Sequence, residues 1–222
     1  MADFAVKILS IENVTHNVRA YRLEKPAGYR FEPGQATEVS INKAGWLEER
    51  RPFTFTGLNE WPYLEFTIKS YLDHQGVTNE LYKLKEGDEL ILRDVWGAIT
   101  YKGPGYFLAG GAGITPFIAI LRQAYNDKSI DGNELFFSNQ TTKDIIYHDE
   151  LSKMLGSHAR YIITREENAS YLKGPIDKAF LERNVTDFNK PFYVCGPDKM
   201  VADLSQILTE LGASPDSVVF EK

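Results

Sequence analysis

The chain has one cysteine, Cys195, so no internal disulfide can form. No CxxC pair or Cys/His cluster has metal-ligand spacing, and no bound metal is expected. The lone cysteine, with a start that lacks a secretory layout, points to a reducing compartment, the cytoplasm. A basic excess is also missing: the formal net charge is −6, which argues against a nucleic-acid partner. The start, "MADFAVKILS", lacks the basic-then-apolar layout of a secretory signal. Between Lys102 and Arg122 the chain is uncharged, but Gly103, Pro104, Gly105, Gly110, Gly111, Gly113 and Pro116 interrupt it. A membrane helix needs roughly 20 mostly apolar residues without such breaks, so no membrane association is expected. There is no paired-carboxylate or Ser/His/Asp arrangement for hydrolysis, no internal repeat and no low-complexity tract.

What is present falls into two rhythms. Up to about residue 100, "FAVKILSI", "VRAYRLE", "ATEVSI", "PFTFTGL", "YLEFTIKSY" and "DELILRDV" alternate or are rich in β-branched and aromatic residues. Six such strands separated by turn formers predict a six-stranded antiparallel β-barrel. One short helix is expected near "VTNELYKL", capped by Thr78 or Asn79. Beyond "YKGPG", apolar strands alternate with helices: "YFLAG" and "TPFIAILRQAYN", "ELFFSN" and "DIIYHDELSKML", "RYIIT" and "IDKAFLERN", "PFYVCG" and "DKMVADLSQILTELG", then "SVVFEK". That pattern predicts an α/β doubly wound parallel sheet. The expected division is residues 1–101 and 102–222.

The uncharged stretch then reads as a buried strand turning sharply into a helix. Pro116 suits the first helical position, and Thr115 the N-cap. Gly110, Gly111 and Gly113 permit a tight turn and strip side chains from above the helix start, leaving N–H groups for an anion. Close strand–helix packing is the competing use of such glycines. The pattern departs from GxGxxG, because Pro116 replaces the third glycine. The acid expected at the end of the second strand is absent too. Asp131 lies in the "DGN" turn before that strand, and Ser138 and Asn139 occupy its end. A ribose is therefore not expected to be held in the usual NAD manner.

Four separated motifs then agree: "RPFT" on a barrel strand, "GGAGITP" opening the second half, "YVCGPDKM" in its last strand-helix pair, and "VVFEK" at the end. Their order and spacing resemble the ferredoxin–NADP reductase superfamily over almost the whole chain. The resemblance implies a flavin-binding barrel, here 1–101, and a nicotinamide-binding domain, 102–222. Arg51 would pair with a flavin phosphate. Pro52 belongs to the same motif, and Phe53 would pack on the flavin where the family usually has Tyr. Thr54 would hydrogen-bond flavin N5. Ile68, Lys69, Ser70 and Tyr71 match a strand whose backbone contacts flavin, with an adenine near Tyr71 or His74. Gly76, Val77 and Thr78 match a second phosphate segment. Gly111, Gly113, Thr115 and Pro116 would receive the nicotinamide cofactor. Thr164 and Arg165 match a pair that holds the 2′-phosphate of NADPH, and Tyr147 lies in a segment near the adenosine. Cys195, followed by Gly196 and Pro197, would stand beside nicotinamide C4, with Phe220 near the flavin and Glu221 near the nicotinamide.

The reaction implied is hydride transfer from NADPH, ahead of NADH, to FAD, ahead of FMN. Electrons would pass to a small carrier protein such as ferredoxin or flavodoxin, or to an oxygenase component. A reductase of free flavin or ferric complexes is the alternative within the fold. A non-catalytic flavin-binding interaction module is the alternative of another class.

Overall fold

The computed structural model describes residues 3–71, 75–97, 99–167, 170–214 and 218–220. The first six strands are β1 (Phe4–Thr15), β2 (Val18–Glu24), β3 (Ala36–Ile41), β4 (Arg51–Thr54), β5 (Tyr63–Lys69) and β6 (Glu89–Trp96). They form one antiparallel sheet in the order β4-β3-β6-β1-β2-β5. An antiparallel bridge between Phe55 and Phe66 joins the two ends of that order, so the sheet curls into a barrel. Alternation along the strands sends Ile8, Tyr21, Leu23, Leu64 and Phe66 inward, where Phe31 stacks on Phe55 with centroids 4.1 Å apart.

A short helix, α1 (Val77–Lys83), buries Val77 and Leu81 in the barrel core. The Tyr21 hydroxyl donates to the Leu81 carbonyl at 3.1 Å and pins it there. The residue before the helix is Gly76, and no side chain caps it. This corrects the expected cap: Thr78 and Asn79 already lie within the first turn.

The second sheet contains β7 (Tyr106–Gly110), β8 (Glu134–Asn139), β9 (Ala159–Ile163), β10 (Leu172–Lys173), β11 (Phe192–Cys195) and β12 (Val218–Phe220). Every pairing is parallel, in the order β10-β9-β8-β7-β11-β12. Its helices are α2 (Thr115–Asn126), α3 (His148–Leu155), α4 (Lys178–Asn184) and α5 (Asp198–Glu210). Both faces are buried, which explains strands that read as continuous apolar runs. Phe107, Ala109, Phe137 and Tyr193 share a core with α2 and α3. Tyr106, Leu108, Phe136 and Val194 share one with α4 and α5.

Two details depart from the sequence reading. The two-residue β10 was not anticipated. The helix expected from Asp144 starts at His148 instead. Thr141 and Asp144 cap a 3-10 turn over Thr142–Asp144 reciprocally, and Tyr147 takes φ 52, ending any helical run before His148.

Barrel and parallel sheet share buried surface: Val18 and Ile99 enter the core built by β7, β8, α2 and α3. Between them, Lys102 N donates to the Tyr193 hydroxyl at 2.8 Å, and that hydroxyl donates to Gly103 O at 2.7 Å. Among the described residues no helix is long and apolar enough to cross a membrane, and no cluster of His, Cys, Asp and Glu has the makings of a metal site.

Candidate functional site: a cleft between barrel and parallel sheet

In the parallel sheet, β7 is followed by β8 on one side and its other neighbour β11 by β12 on the opposite side, so the connections after β7 and β11 leave in opposite directions. Ligands of open α/β sheets bind at such a switch point. There the chain opens a cleft of about 600 Å³ whose other wall is the barrel.

Pro52, Phe53 and Thr54 of β4 and Thr67, Ile68 and Lys69 of β5 form the barrel wall, with Tyr71 and Thr78 at its edge. Thr54 is buried, whereas Tyr71 is half exposed. The opposite wall is the loop after β7, the loop after β11 and the end of β8. Gly111, Gly113, Thr115, Thr164, Cys195, Gly196 and Pro197 all reach it. The cleft therefore gathers most of the residues selected from sequence.

The two glycines of the β7–α2 loop have different physical reasons. Gly111 has φ +53 with open space where a side chain would project, so its need is conformational. At Gly113 a Cβ would collide with the Cys195 carbonyl and the Gly196 amide. Gly113 is thus the packing glycine that lets the loops after β7 and β11 touch. The helix start also differs from expectation. Gly111–Ile114 form a 3-10 turn, Thr115 is already helical, and its hydroxyl donates back to Ala112 O at 3.0 Å. Thr115 is not the N-cap; Ile114 precedes α2.

The end of β8 supplies what sequence reasoning missed. Asn139 is buried and lines the cleft, and neither its amide nitrogen nor its amide oxygen has a hydrogen-bond partner among the described residues. Ser138, Gln140 and Asp144 line the same wall. The Asn139 carbonyl accepts from Thr164 N at 3.0 Å and the Thr164 hydroxyl at 3.2 Å. Arg165 N donates to Gln140 O at 2.9 Å, and Thr142 N to the Glu166 carboxylate at 2.8 Å. The loops after β8 and β9 thus form one ledge. An acid-for-asparagine exchange at the strand end was the available signal.

Other expected residues stand elsewhere. Arg51 is exposed outside the cleft lining, its guanidinium donating to Arg50 O at 2.6 Å and standing 3.6 Å from the Glu49 carboxylate. The Arg165 side chain is exposed and does not line the cleft, and neither do Gly76, Pro116 or Ser70. The Val77 side chain belongs to the barrel core. The Ser70 hydroxyl is buried without a partner among the described residues. Tyr147 does not itself line the cleft, but its hydroxyl stands 3.1 Å from that of Thr67, which does, and burial raises its pKa to about 12. Phe220 is in register with Val194, one residue before Cys195. Glu221 and His74 lie outside the described residues.

The cleft fits a flat, phosphate-bearing cofactor on each wall. Gly111 leaves open space before its backbone, Asn139 holds an amide ready to donate and accept, and Phe53 and Tyr71 offer rings on the barrel side.

Residues 107–206 match the family model of the oxidoreductase NAD-binding domain. A probable dihydroorotate dehydrogenase B (NAD(+)) electron transfer subunit of Pyrococcus furiosus is 31% identical over 210 residues, covering 91% of this chain and 74% of the relative. The reductase component of propane 2-monooxygenase from Rhodococcus jostii is 27% identical, covering 99% of this chain. The chain spans 63–66% of the length of the oxygenase reductase components it matches. A ferredoxin NADP+ reductase of Neisseria gonorrhoeae, solved with FAD and NADP, superposes with a TM-score of 0.83 at 24% identity, over 96% of this chain and 92% of that one. Barrel, parallel sheet and the match over nearly the whole length agree: the chain belongs to the ferredoxin–NADP reductase superfamily.

Proposed function

We propose that the chain is a flavin-dependent NAD(P)H oxidoreductase that holds FAD on the barrel wall and NADPH, ahead of NADH, on the parallel-sheet wall. One observation carries the reading: Thr54 and Thr67 on one side face the loops of Gly111–Gly113 and Cys195–Pro197 on the other, across a single cleft. When bound, a flavin there supplies the chemistry that turns a two-electron hydride donor into one-electron steps. The protein's part is position. Phe53 and Tyr71 flank the flavin, and Arg51 turns from Glu49 toward its phosphate. The Gly111 loop and Asn139 hold the dinucleotide. Cys195, small and weakly polar, shapes the nicotinamide end without trapping it.

The division at residues 101 and 102 assigns one cofactor to each part. The physiological acceptor is a small carrier protein such as ferredoxin or flavodoxin, or an oxygenase component, in the cytoplasm. The test is purification, identification of released flavin, and anaerobic mixing with NADPH and NADH. Bleaching of bound FAD supports the reading. A protein that retains flavin but is reduced by neither nucleotide is a binding module, and one that loses flavin on desalting yet reduces added flavin is a free-flavin reductase.

A further inference from the structure

Away from the cleft, the interface between barrel and parallel sheet holds a line of alternating charges. Arg122, on α2, is buried. Its guanidinium donates to the Glu65 carboxylate at 2.6 Å and to Thr56 O at 2.7 Å, both in the barrel. It also donates twice to the Glu150 carboxylate of α3, at 2.6 and 2.8 Å. Glu65, whose side chain is 2% exposed, accepts in turn from Arg22 of β2 at 3.2 Å. The sequence along the line is Arg22, Glu65, Arg122, Glu150. Trp61 of the barrel and Tyr147 of the other part bring rings to 5.2 and 4.9 Å from the Arg122 guanidinium carbon.

Burying such a line is not an efficient route to stability. Desolvation of paired charges commonly cancels their attraction, and apolar replacements are often neutral or stabilising. What buried charges supply is geometric choice. A bidentate guanidinium accepts a narrow range of partner positions, and leaving either carboxylate unpaired is heavily penalised.

The line is also wired to the cleft. The Glu65 carboxylate accepts from the Thr56 hydroxyl at 3.2 Å, which stands 3.0 Å from that of Thr67. Thr67 is 3.1 Å from the Tyr147 hydroxyl. Because a carboxylate only accepts, the simplest consistent direction runs from Tyr147 through Thr67 and Thr56 to Glu65. Thr67 lines the cleft, while α2 begins at the glycine loop on the opposite wall. Both walls are therefore referred to one guanidinium.

We infer that Arg122, with Glu65 and Glu150, is a positioning group that sets the separation and angle of the two cleft walls, and through them the approach of dinucleotide to flavin. Its bearing on rate rests on the function proposed above; its bearing on wall geometry does not.

The test uses Arg122→Met, Arg122→Lys and the milder Glu150→Gln on the protein as purified. Backbone residual dipolar couplings of barrel and parallel sheet should fit one alignment frame in the unaltered protein. Arg122→Met is expected to need two, with flavin content kept and a lower melting temperature, because Glu65 and Glu150 lose their shared partner. Its single-turnover flavin reduction should fall at least tenfold, about 1.4 kcal/mol, with dinucleotide affinity kept. Arg122→Lys retains charge but not the fork, and should lie between the two. One frame together with an unaltered reduction rate in Arg122→Met overturns the inference. So does a rate loss in a variant whose barrel and parallel sheet still fit one frame. If Arg122→Met fails to fold, Glu150→Gln decides by the same two readouts. A wild-type protein reduced by neither nucleotide would fail the functional reading alone, and the alignment frames would still decide the role of Arg122.

Discussion

Asn139 keeps two amide atoms in the interior without a partner among the described residues. Such groups forfeit about 1–3 kcal/mol each when nothing replaces water. Asn139→Leu, close in volume and lacking those atoms, should leave the unliganded protein as stable or more stable, while weakening the dinucleotide about tenfold. Thermal melting and an equilibrium titration measure the two halves. A lower melting temperature with unchanged binding would make Asn139 a structural residue. Cys195 makes the complementary case, since it lines the cleft at the end of β11. Cys195→Ser preserves its size, so folding and flavin content should be normal. Single-turnover flavin reduction should slow about tenfold or more with affinity kept, the pattern of an interaction made mainly in the transition state. Reduction at the wild-type rate would leave Cys195 a packing residue. Arg165→Ala tests nucleotide choice: a charge-assisted contact is worth about 1.5–3 kcal/mol, so NADPH should weaken roughly tenfold or more and NADH hardly at all. Equal losses would remove Arg165 from the role.

Among the elements, the loop after β7 separates two reasons for glycine. Gly113→Ala drives a Cβ into backbone at Cys195 and Gly196, which cannot swing aside. Overpacking of this kind costs about 1–3 kcal/mol, and because it pushes the two cofactor loops apart, dinucleotide affinity should fall with stability. Gly111→Ala meets open space and only a left-handed backbone, about 1–2 kcal/mol. Its affinity should hold better. Denaturant melts with nucleotide titrations compare the pair, and equal affinity losses would contradict the distinction. The same loop marks the limit of reading by sequence. Strand and helix ends governed by local pattern are legible: Thr115–Asn126 and Glu134–Asn139 lie where periodicity places them, and Asp198–Glu210 begins where expected and stops two residues short. Thr115 has the residue type of a cap, but a 3-10 turn precedes it and makes it helical, and no local rule distinguishes the two. Asn139 stands at a strand end in the sequence, but its lack of partners among the described residues depends on strands and loops far away in sequence. Arg122 sat in an ordinary amphipathic helix, and only the barrel's Glu65 makes it unusual.

For the whole molecule, alkaline pH should expose how much phenol is buried. Tyr21, Tyr147 and Tyr193 each have pKa values pushed up to about 12 by burial, one in the barrel and two in or against the parallel sheet. An unfolded tyrosine loses its proton near pH 10. The native state then holds protons that the unfolded state has released, so stability falls as pH rises. Their contribution is fully present below about pH 10 and is lost through about pH 12. Denaturant midpoints across that window, followed with absorbance of the phenolate, should show a steep decline and late-titrating tyrosines released on unfolding. A flat profile to pH 12 would contradict it.

The strand order also has a consequence in time. β7 is flanked by β8, made soon after it, and by β11, which comes after β8 only once two further strands and two α-helices have been made. On the ribosome, with synthesis at roughly 5–20 residues per second, every barrel strand has been made before β7 begins. The second sheet must wait for Phe192–Cys195 to fill the gap beside β7. The nascent chain therefore passes through a stage with a finished barrel and an unpaired central strand edge. That edge, lined by Tyr106, Phe107 and Leu108, then offers an apolar, unpaired strand to a chaperone or to another nascent chain.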